Sequence, residues 1–169
     1  MPLTLECTPG VILVCEMPEC SCADDADTNA SHFACSACRT KGSPVEELTV
    51  KALLSDTALQ RFEPGAHRFC PDASCDVVYF DAAGRTFTTA DLRVPVWQKQ
   101  PPGARTICYC FGENETDIKS EIERTGRSRA PERVRAQIDA GRCACEVRNP
   151  KGACCLGDIT QAVKRVAHG

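Results

Sequence analysis

The sequence is poor in aromatic residues and in long apolar runs, and it carries little excess of one charge. One Trp, two Tyr and six Phe in 169 residues exclude a single large aromatic core and favour two modest lobes. No apolar stretch reaches the length that spans a bilayer, so we expect no membrane insertion. The net charge of −3 is small, and it gives no reason to expect nucleic acid as a partner.

Catalytic motifs and a secretion signal are also missing. The sequence has no nucleophile with a placed base and no phosphate-binding loop, so we do not expect an enzyme. Residues 1–16 lack a basic start, and their apolar run from Val11 to Val14 is too short for a signal peptide. These features predict a cytoplasmic protein whose thiols stay reduced.

Cysteine is the residue present in excess, with 14 copies that fall mostly in close pairs. In a reducing compartment such pairs are typical of thiolate chelates for metal ions, and disulfides are rare there. The pairs are Cys20/Cys22, Cys35/Cys38, Cys70/Cys75, Cys108/Cys110, Cys143/Cys145 and Cys154/Cys155. The cysteine pattern therefore predicts metal binding.

The periodicity of the sequence changes after a Pro-Pro-Gly segment, which predicts an α+β protein with two lobes. Residues 1–30 are expected to be a flexible, cysteine-containing extension. Residues 31–97 form the first, β-rich lobe, which we expect to be stapled by zinc. Residues 98–104 are the predicted linker, and residues 105–169 form a small helical lobe expected to bind a [2Fe-2S] cluster.

Within these lobes, short strands are predicted at residues 68–70, 75–80 and 85–88, with helical turns inside 49–62. The second lobe is expected to contain three helices with apolar residues one turn apart. Their predicted bounds are Glu115–Thr125, Pro131–Ala140 and Ile159–Ala167. Asp158 is the predicted N-cap of the last helix.

The first candidate metal site consists of two cysteine knuckles, Cys35-Ser-Ala-Cys38 and Cys70-Pro-Asp-Ala-Ser-Cys75. A two-residue spacer lets both thiolates of a knuckle reach one ion, and a four-residue spacer does so with a wider loop. Two knuckles supply four sulfur atoms, which is the closed shell of structural zinc. The alternative is a set of ordinary thiols that bind nothing.

The second candidate site begins with Cys108-Tyr-Cys110 and continues at Cys145 and the vicinal pair Cys154-Cys155. Two adjacent thiolates are awkward for a single tetrahedral ion, whereas they suit the two irons of a [2Fe-2S] cluster. A turn-forming segment between Cys145 and Cys154 brings the ends of this stretch together. The alternative is a second structural zinc site, because sulfur-only sites are ambiguous.

Four motifs carry a resemblance to known families: CSACRTKGSPVEELTV, SCDVVYF, CYCFGENETDI and GRCACEVRNPKGACCLGD. With them, residues 33–169 resemble the amino-terminal domain of CopZ-type copper chaperones and its stand-alone bacterial relatives. Residues 105–169 are also similar to the bacterioferritin-associated ferredoxin family, whose Cys-x-Cys and distant cysteine pair hold a [2Fe-2S] cluster between short helices.

The resemblance implies a ligand set for each site. Zinc is expected at Cys35, Cys38, Cys70 and Cys75, and the [2Fe-2S] cluster at Cys108, Cys110, Cys145 and Cys154. Cys155 is the alternate to Cys154, and Cys143 competes with Cys145. The implied function is redox or metal handling in copper or other soft-metal homeostasis, with a redox or metal-trafficking protein as partner. The alternative is a scaffold in which both metals are structural.

The N-terminal cysteines lie outside this resemblance. Cys20-Ser-Cys22 is a candidate site for a soft ion such as Cu(I), because thiolates favour soft ions. The alternative is a tail with incidental cysteines, since nothing else in residues 1–30 organises a site.

Overall fold

A four-stranded antiparallel sheet, in the order β1-β2-β3-β4, forms the first half of the computed structural model, which describes residues 33–168. Two helices connect the first two strands. The bounds are β1 Ser43–Val45, α1 Glu47–Leu53, α2 Asp56–Leu59, β2 His67–Phe69, β3 Val77–Asp81 and β4 Thr86–Thr88. Two 3-10 turns, Thr89–Asp91 and Trp97–Lys99, lead from this sheet to the second half.

Strand β3 is buried on both faces, since it separates two groups of side chains. Val78 and Tyr79 belong to an apolar core that is completed by α1 and α2. Val77 and Phe80 pack instead against a group of cysteines at the other side of the sheet. Gly42 lies against the Phe80 ring so closely that an added Cβ would be 2.5 Å from the ring carbon Cζ. Strand β3 thus contributes side chains both to an apolar core and to the lining of a group of cysteine thiols.

The second half consists of a short β-ribbon and four helices. The bounds are β5 Thr106–Cys108, β6 Glu113–Asn114, α3 Glu115–Thr125, α4 Ala130–Asp139, α5 Cys145–Arg148 and α6 Leu156–His168. Helices α3 and α4 both pack on α6, and the fully buried Ile118, Val134 and Ile159 form the contact. The prediction of an α+β fold is confirmed. Within residues 33–168, no helix combines the length and the apolar character needed to cross a membrane.

Local capping signals account for the bounds of α3 but not for the start of α6. Helix α3 spans the predicted residues: the Asn114 side chain accepts a hydrogen bond from the Asp117 N–H at 2.9 Å, and Gly126 ends the helix at φ 81°. Helix α6 begins three residues earlier than predicted, at Leu156. The prediction of Asp158 as its N-cap is therefore wrong. Asp158 lies in the first turn, where its carboxylate is 3.3 Å from Lys151 Nζ.

The two halves meet at the turn that follows α5. The Tyr79 hydroxyl of β3 donates a buried hydrogen bond of 2.8 Å to the Pro150 carbonyl in this turn. Gly152, two residues later, lies against Val45 and Thr49 of the first half. Helix α5 packs on α1 beside these contacts. The segment that carries the last cysteines is therefore supported by the first half of the chain.

The predicted linker, residues 98–104, is attached on both sides. Lys99 Nζ donates to the Asp72 carbonyl at 2.5 Å, which ties it to the first half. The Gly103 N–H donates to Glu115 Oε2 at 2.8 Å, which ties it to α3. These contacts cross the predicted boundary, so the two lobes share a packed junction.

Replacing Gly152 with Ala is expected to lower the free energy of unfolding more than the same change at Gly141. Both glycines have positive φ, 67° and 68°, so both variants carry a similar backbone penalty. Only at Gly152 would the new Cβ meet neighbours, 3.0 Å from Thr49 Oγ1 and 3.1 Å from Val45 Cγ2. We expect an excess loss of about 1–3 kcal/mol in urea unfolding. Equal losses would mean that the turn does not rest on the first half.

Candidate metal centres

The first centre is a group of four thiols that converge behind the sheet. The Sγ atoms of Cys35, Cys38, Cys70 and Cys75 all lie within 4.8 Å of one another. Cys35 Sγ is 3.9 Å from Cys75 Sγ, and Cys38 Sγ is 3.5 Å from Cys70 Sγ. Sulfur atoms around a tetrahedral zinc ion are about 3.8 Å apart, since each Zn–S bond is about 2.3 Å. The structure thus brings together the four cysteines predicted for zinc.

Backbone turns shape both knuckles of this centre. In the first, the Cys35 N–H donates to the Thr40 carbonyl at 2.9 Å, and Arg39 adopts a left-handed φ of 64°. In the second, Asp72 Oδ1 accepts from the Ser74 N–H at 2.8 Å, which folds the four-residue spacer back. The Thr40 hydroxyl donates to Asp72 Oδ2 at 3.2 Å and joins the two knuckles.

The thiols of this centre differ in acidity. Burial raises the pKa of Cys70 to about 12, and burial also raises the pKa of Cys75. At Cys38 burial acts in the same direction, but hydrogen bonds with the side chain and backbone of Thr40 outweigh it and lower the pKa to about 7. The Lys99 ammonium favours the Cys70 thiolate. A metal cation would complete this pocket by replacing the protons of the buried thiols.

The second centre lies in the helical half and contains five thiols. The Sγ atoms of Cys110, Cys143 and Cys145 all lie within 4.8 Å of one another. Cys145 Sγ is 3.9 Å from Cys110 Sγ and 3.3 Å from Cys143 Sγ. Beside them, Cys108 and Cys155 are buried in the same cluster, and the Cys155 thiol lowers the pKa of Cys108. The five cysteines form part of the core of the helical half.

The vicinal cysteines differ in their placement. Cys155 is buried, with 1% of its surface exposed, whereas the Cys154 side chain is exposed. The Cys155 carbonyl accepts the first hydrogen bond of α6, from the Ile159 N–H at 2.9 Å, and this cap position holds its thiol against Cys108. The structure thus brings the alternate, Cys155, into the group and leaves the predicted Cys154 at the surface.

Backbone groups favour the thiolate form of several cysteines of the second centre. The Ala144 N–H donates to Cys110 Sγ at 3.4 Å, and the Cys155 backbone acts to lower the pKa of Cys145. At Cys108, the neighbouring Cys155 thiol and nearby backbone groups lower the pKa to about 7, although burial opposes them. Burial raises the pKa of Cys145 and of Cys110. The site therefore supplies both low polarity and donors to sulfur, as a thiolate-bound metal centre requires.

The sequence patterns did not identify several residues that contact the two centres. Lys99 and Tyr79 act across long sequence separations, so no local pattern identifies them. Asp72 was recognisable, because Pro-Asp-Ala-Ser is typical of a side-chain-capped turn. His67 is not a member of the first group; it stacks on Phe62, with ring centroids 5.0 Å apart. The candidate pair Cys20 and Cys22 lies outside the residues that the structure describes.

Comparisons with known proteins relate this chain to metal-binding proteins. Residues 32–93 match a sequence-family model described as "Zinc binding domain". The chain is 32% identical over 142 residues to the copper chaperone CopZ of Archaeoglobus fulgidus, an alignment that covers 78% of this chain and 67% of the relative. It also superimposes on the crystal structure of the A. fulgidus CopZ N-terminal domain. That match has a TM-score of 0.63 and 30% identity, and it covers 76% of this chain and 95% of the other.

The fold and the two thiol groups define a small α+β metal-binding protein whose candidate ligands are cysteines. More specifically, the identity to CopZ and its coverage show that this chain belongs to the CopZ family.

Alkylation of the folded, metal-free protein is expected to occur at Cys38 before Cys70 and Cys75. The thiolate is the nucleophile, and of these three thiols only Cys38 has a lowered pKa, so its rate should rise as the pH passes about 7. Iodoacetamide labelling between about pH 5 and pH 9, read by mass spectrometry, measures this order. Thr40→Val removes one of the stabilising hydrogen bonds and should shift the Cys38 profile to higher pH. Earlier labelling of Cys70 would contradict this description of the knuckles.

Proposed function

We propose that this chain is a metal-handling protein of copper or other soft-metal homeostasis, with one structural zinc ion and one [2Fe-2S] cluster. The observation that carries the proposal is the presence of two separate groups of converging, largely buried thiols in a member of the CopZ family. The protein is not proposed to be an enzyme. Its partner is a redox or metal-trafficking protein.

Zinc is proposed at Cys35, Cys38, Cys70 and Cys75. Four mutually close sulfur atoms from two knuckles suit a closed tetrahedral shell, with no position left for substrate. The match of residues 32–93 to a zinc-binding family supports this choice of metal. In this role the ion holds the first lobe, residues 31–97, together, because its ligands join segments 32 and 40 residues apart.

The [2Fe-2S] cluster is proposed at Cys108, Cys110, Cys145 and Cys155, in the helical lobe of residues 105–169. Cys110 Sγ and Cys145 Sγ are 3.9 Å apart, and the Cys155 thiol lies near enough to Cys108 to lower its pKa. We pair the ligands accordingly, because a two-iron cluster needs two thiolates at each iron. A single zinc ion would need all four sulfurs about 3.8 Å apart, and Cys108 and Cys155 lie outside the compact group. The donor set therefore fits a two-iron centre.

The residues around the proposed cluster would hold it in a site of low polarity. A [2Fe-2S] cluster supplies one-electron chemistry when it is bound. Burial of Cys108, Cys145 and Cys155 keeps water from most of the ligands, while the Ala144 N–H donates to Cys110 Sγ. Both factors influence the reduction potential of a cluster. This chain would thereby set the potential at which an electron is exchanged with the partner.

Copper enters the proposal through the relative, since the A. fulgidus protein is a copper chaperone. Thiolates select soft ions such as Cu(I), and the second centre has more thiols than one cluster requires. A second candidate function is an interaction scaffold in which both metals are structural. The observation in favour of that alternative is that the candidate ligands of the second centre are all sulfur, which zinc also accepts.

Metal analysis and visible spectroscopy of anaerobically purified full-length protein distinguish the two functions. The proposal expects a brown protein with about two iron atoms and one zinc ion per chain. Its absorption should bleach with dithionite, and the reduced sample should give the electron paramagnetic resonance signal of a one-electron-reduced [2Fe-2S] cluster. A colourless protein that holds two zinc ions would overturn the proposal and support the scaffold.

Cys155→Ser is expected to remove or strongly shift the visible absorption, as is Cys108→Ser, because we propose these neighbouring thiols as one ligand pair. The matched control is Cys154→Ser, which changes the neighbouring, exposed thiol and should keep the spectrum. Iron content per folded chain and the visible spectrum are the measurements. Loss of colour in the Cys154 variant, with colour kept in the Cys155 variant, would restore Cys154 as the ligand.

A further inference from the structure

Cys143 is a thiol that the proposed cluster does not use. It follows the turn at Gly141, which has φ 68°, and it comes just before α5. Its Sγ is 3.3 Å from Cys145 Sγ, and it belongs with Cys110 to the group whose sulfurs lie within 4.8 Å. The helical half therefore contains a compact three-sulfur site that overlaps the cluster site at two residues.

Three sulfur atoms at these distances suit a three-coordinate soft ion. With metal–sulfur bonds of about 2.3 Å, a trigonal ion places its ligands about 4.0 Å apart. Among residues 33–168, no fourth cysteine, histidine or carboxylate joins the group at this distance. Zinc closes its structural shell with four ligands, as the first centre provides, whereas Cu(I) is stable with two or three thiolates. The ligand number and the softness of sulfur both favour Cu(I).

We propose that Cys110, Cys143 and Cys145 bind one Cu(I) ion when the cluster is absent. Each thiol loses its proton as its Cu–S bond forms, the ligands of the incoming Cu(I) complex leave, and no electron is transferred. Because Cys110 and Cys145 are also proposed cluster ligands, the Cu(I) ion and the cluster exclude each other. Only this exclusion rests on the proposed function, since binding to the cluster-free chain does not require a cluster.

The placement of the three thiols gives the ion a route into the site. Cys110 and Cys143 are partly exposed, whereas Cys145 is buried. A Cu(I) ion carried by another thiolate or chelator can therefore exchange ligands first at the two outer sulfurs and last at Cys145. Cys143 remains available for the first exchange when the cluster occupies its own four thiols.

A titration of the full-length, zinc-loaded and iron-free chain with Cu(I) bicinchoninate tests the binding. The four N-terminal cysteines, Cys7, Cys15, Cys20 and Cys22, are replaced by Ser so that they do not compete. We expect one Cu(I) ion to be withdrawn from the chelator per chain. Cys143→Ser should weaken this binding at least about tenfold, as expected for a lost ligand, and the control Cys154→Ser should not. X-ray absorption of the copper-loaded protein should show three sulfur neighbours.

Two results would overturn the copper site. The first is an equal Cu(I) affinity of the Cys143→Ser variant and the parent protein. The second is a zinc ion bound to these thiols that Cu(I) does not displace. The three-sulfur spectrum decides the matter independently if the Cys143 variant fails to fold, and a two-sulfur spectrum counts against the site. On the iron-loaded protein, Cu(I) should bleach the visible absorption faster in Cys154→Ser than in Cys143→Ser. If the protein binds iron but shows no visible absorption, the proposed [2Fe-2S] cluster is wrong. That result leaves the copper site untouched, because the titration of the iron-free chain tests copper binding separately.

Discussion

Burial of thiols that face one another is the constraint on which this structure depends. Of the ten cysteines that the structure describes, nine are buried or partly buried. Desolvation raises the pKa of Cys70, Cys75 and Cys145, so without a cation these groups remain protonated in a pocket that hydrates them poorly. A metal ion that bound to these thiols would replace their protons. Its binding free energy would then add to the stability of the fold, and the fold would hold the ligands in place for the metal.

The same strand connects the two thiol groups. Val77 and Phe80 of β3 form one wall of the first group, while Tyr79 of this strand hydrogen-bonds to the turn at Pro150. That turn lies between Cys145 and Cys155, two ligands proposed for the cluster. A change in the first centre that moves β3 would therefore also move the Pro150 turn beside the second centre. The buried hydrogen bond transmits this movement in addition to the linker.

The two centres differ in how completely their thiols are used. The first has four sulfurs for one tetrahedral ion, which leaves no spare ligand and suits a permanent structural metal. The second has five thiols in one core cluster, and Cys154 is exposed next to Cys155 in the chain. A surplus of ligands permits exchange, because an incoming ion can bind one thiol before another is released. This contrast is why we propose a structural role for the first centre and metal exchange for the second.

Local sequence determined much of this protein. The spacing of Cys35, Cys38, Cys70 and Cys75 was enough to group them, and Asn114 and Gly126 delimit α3 by capping chemistry that acts within a few residues. The α+β class followed from the change in periodicity, for the same reason. Such features depend on neighbours in the chain, and a single sequence contains all the information they need.

Tertiary structure alone decided the rest. Cys154 and Cys155 are adjacent and chemically identical, and only the start of α6 at Leu156 turns Cys155 inward. That start also moved Asp158 from the expected cap into the first turn, beside Lys151. The support of the Pro150 turn by Tyr79 joins residues 71 positions apart. These outcomes depend on which distant surfaces pack together, and the local propensities of the residues do not determine that packing.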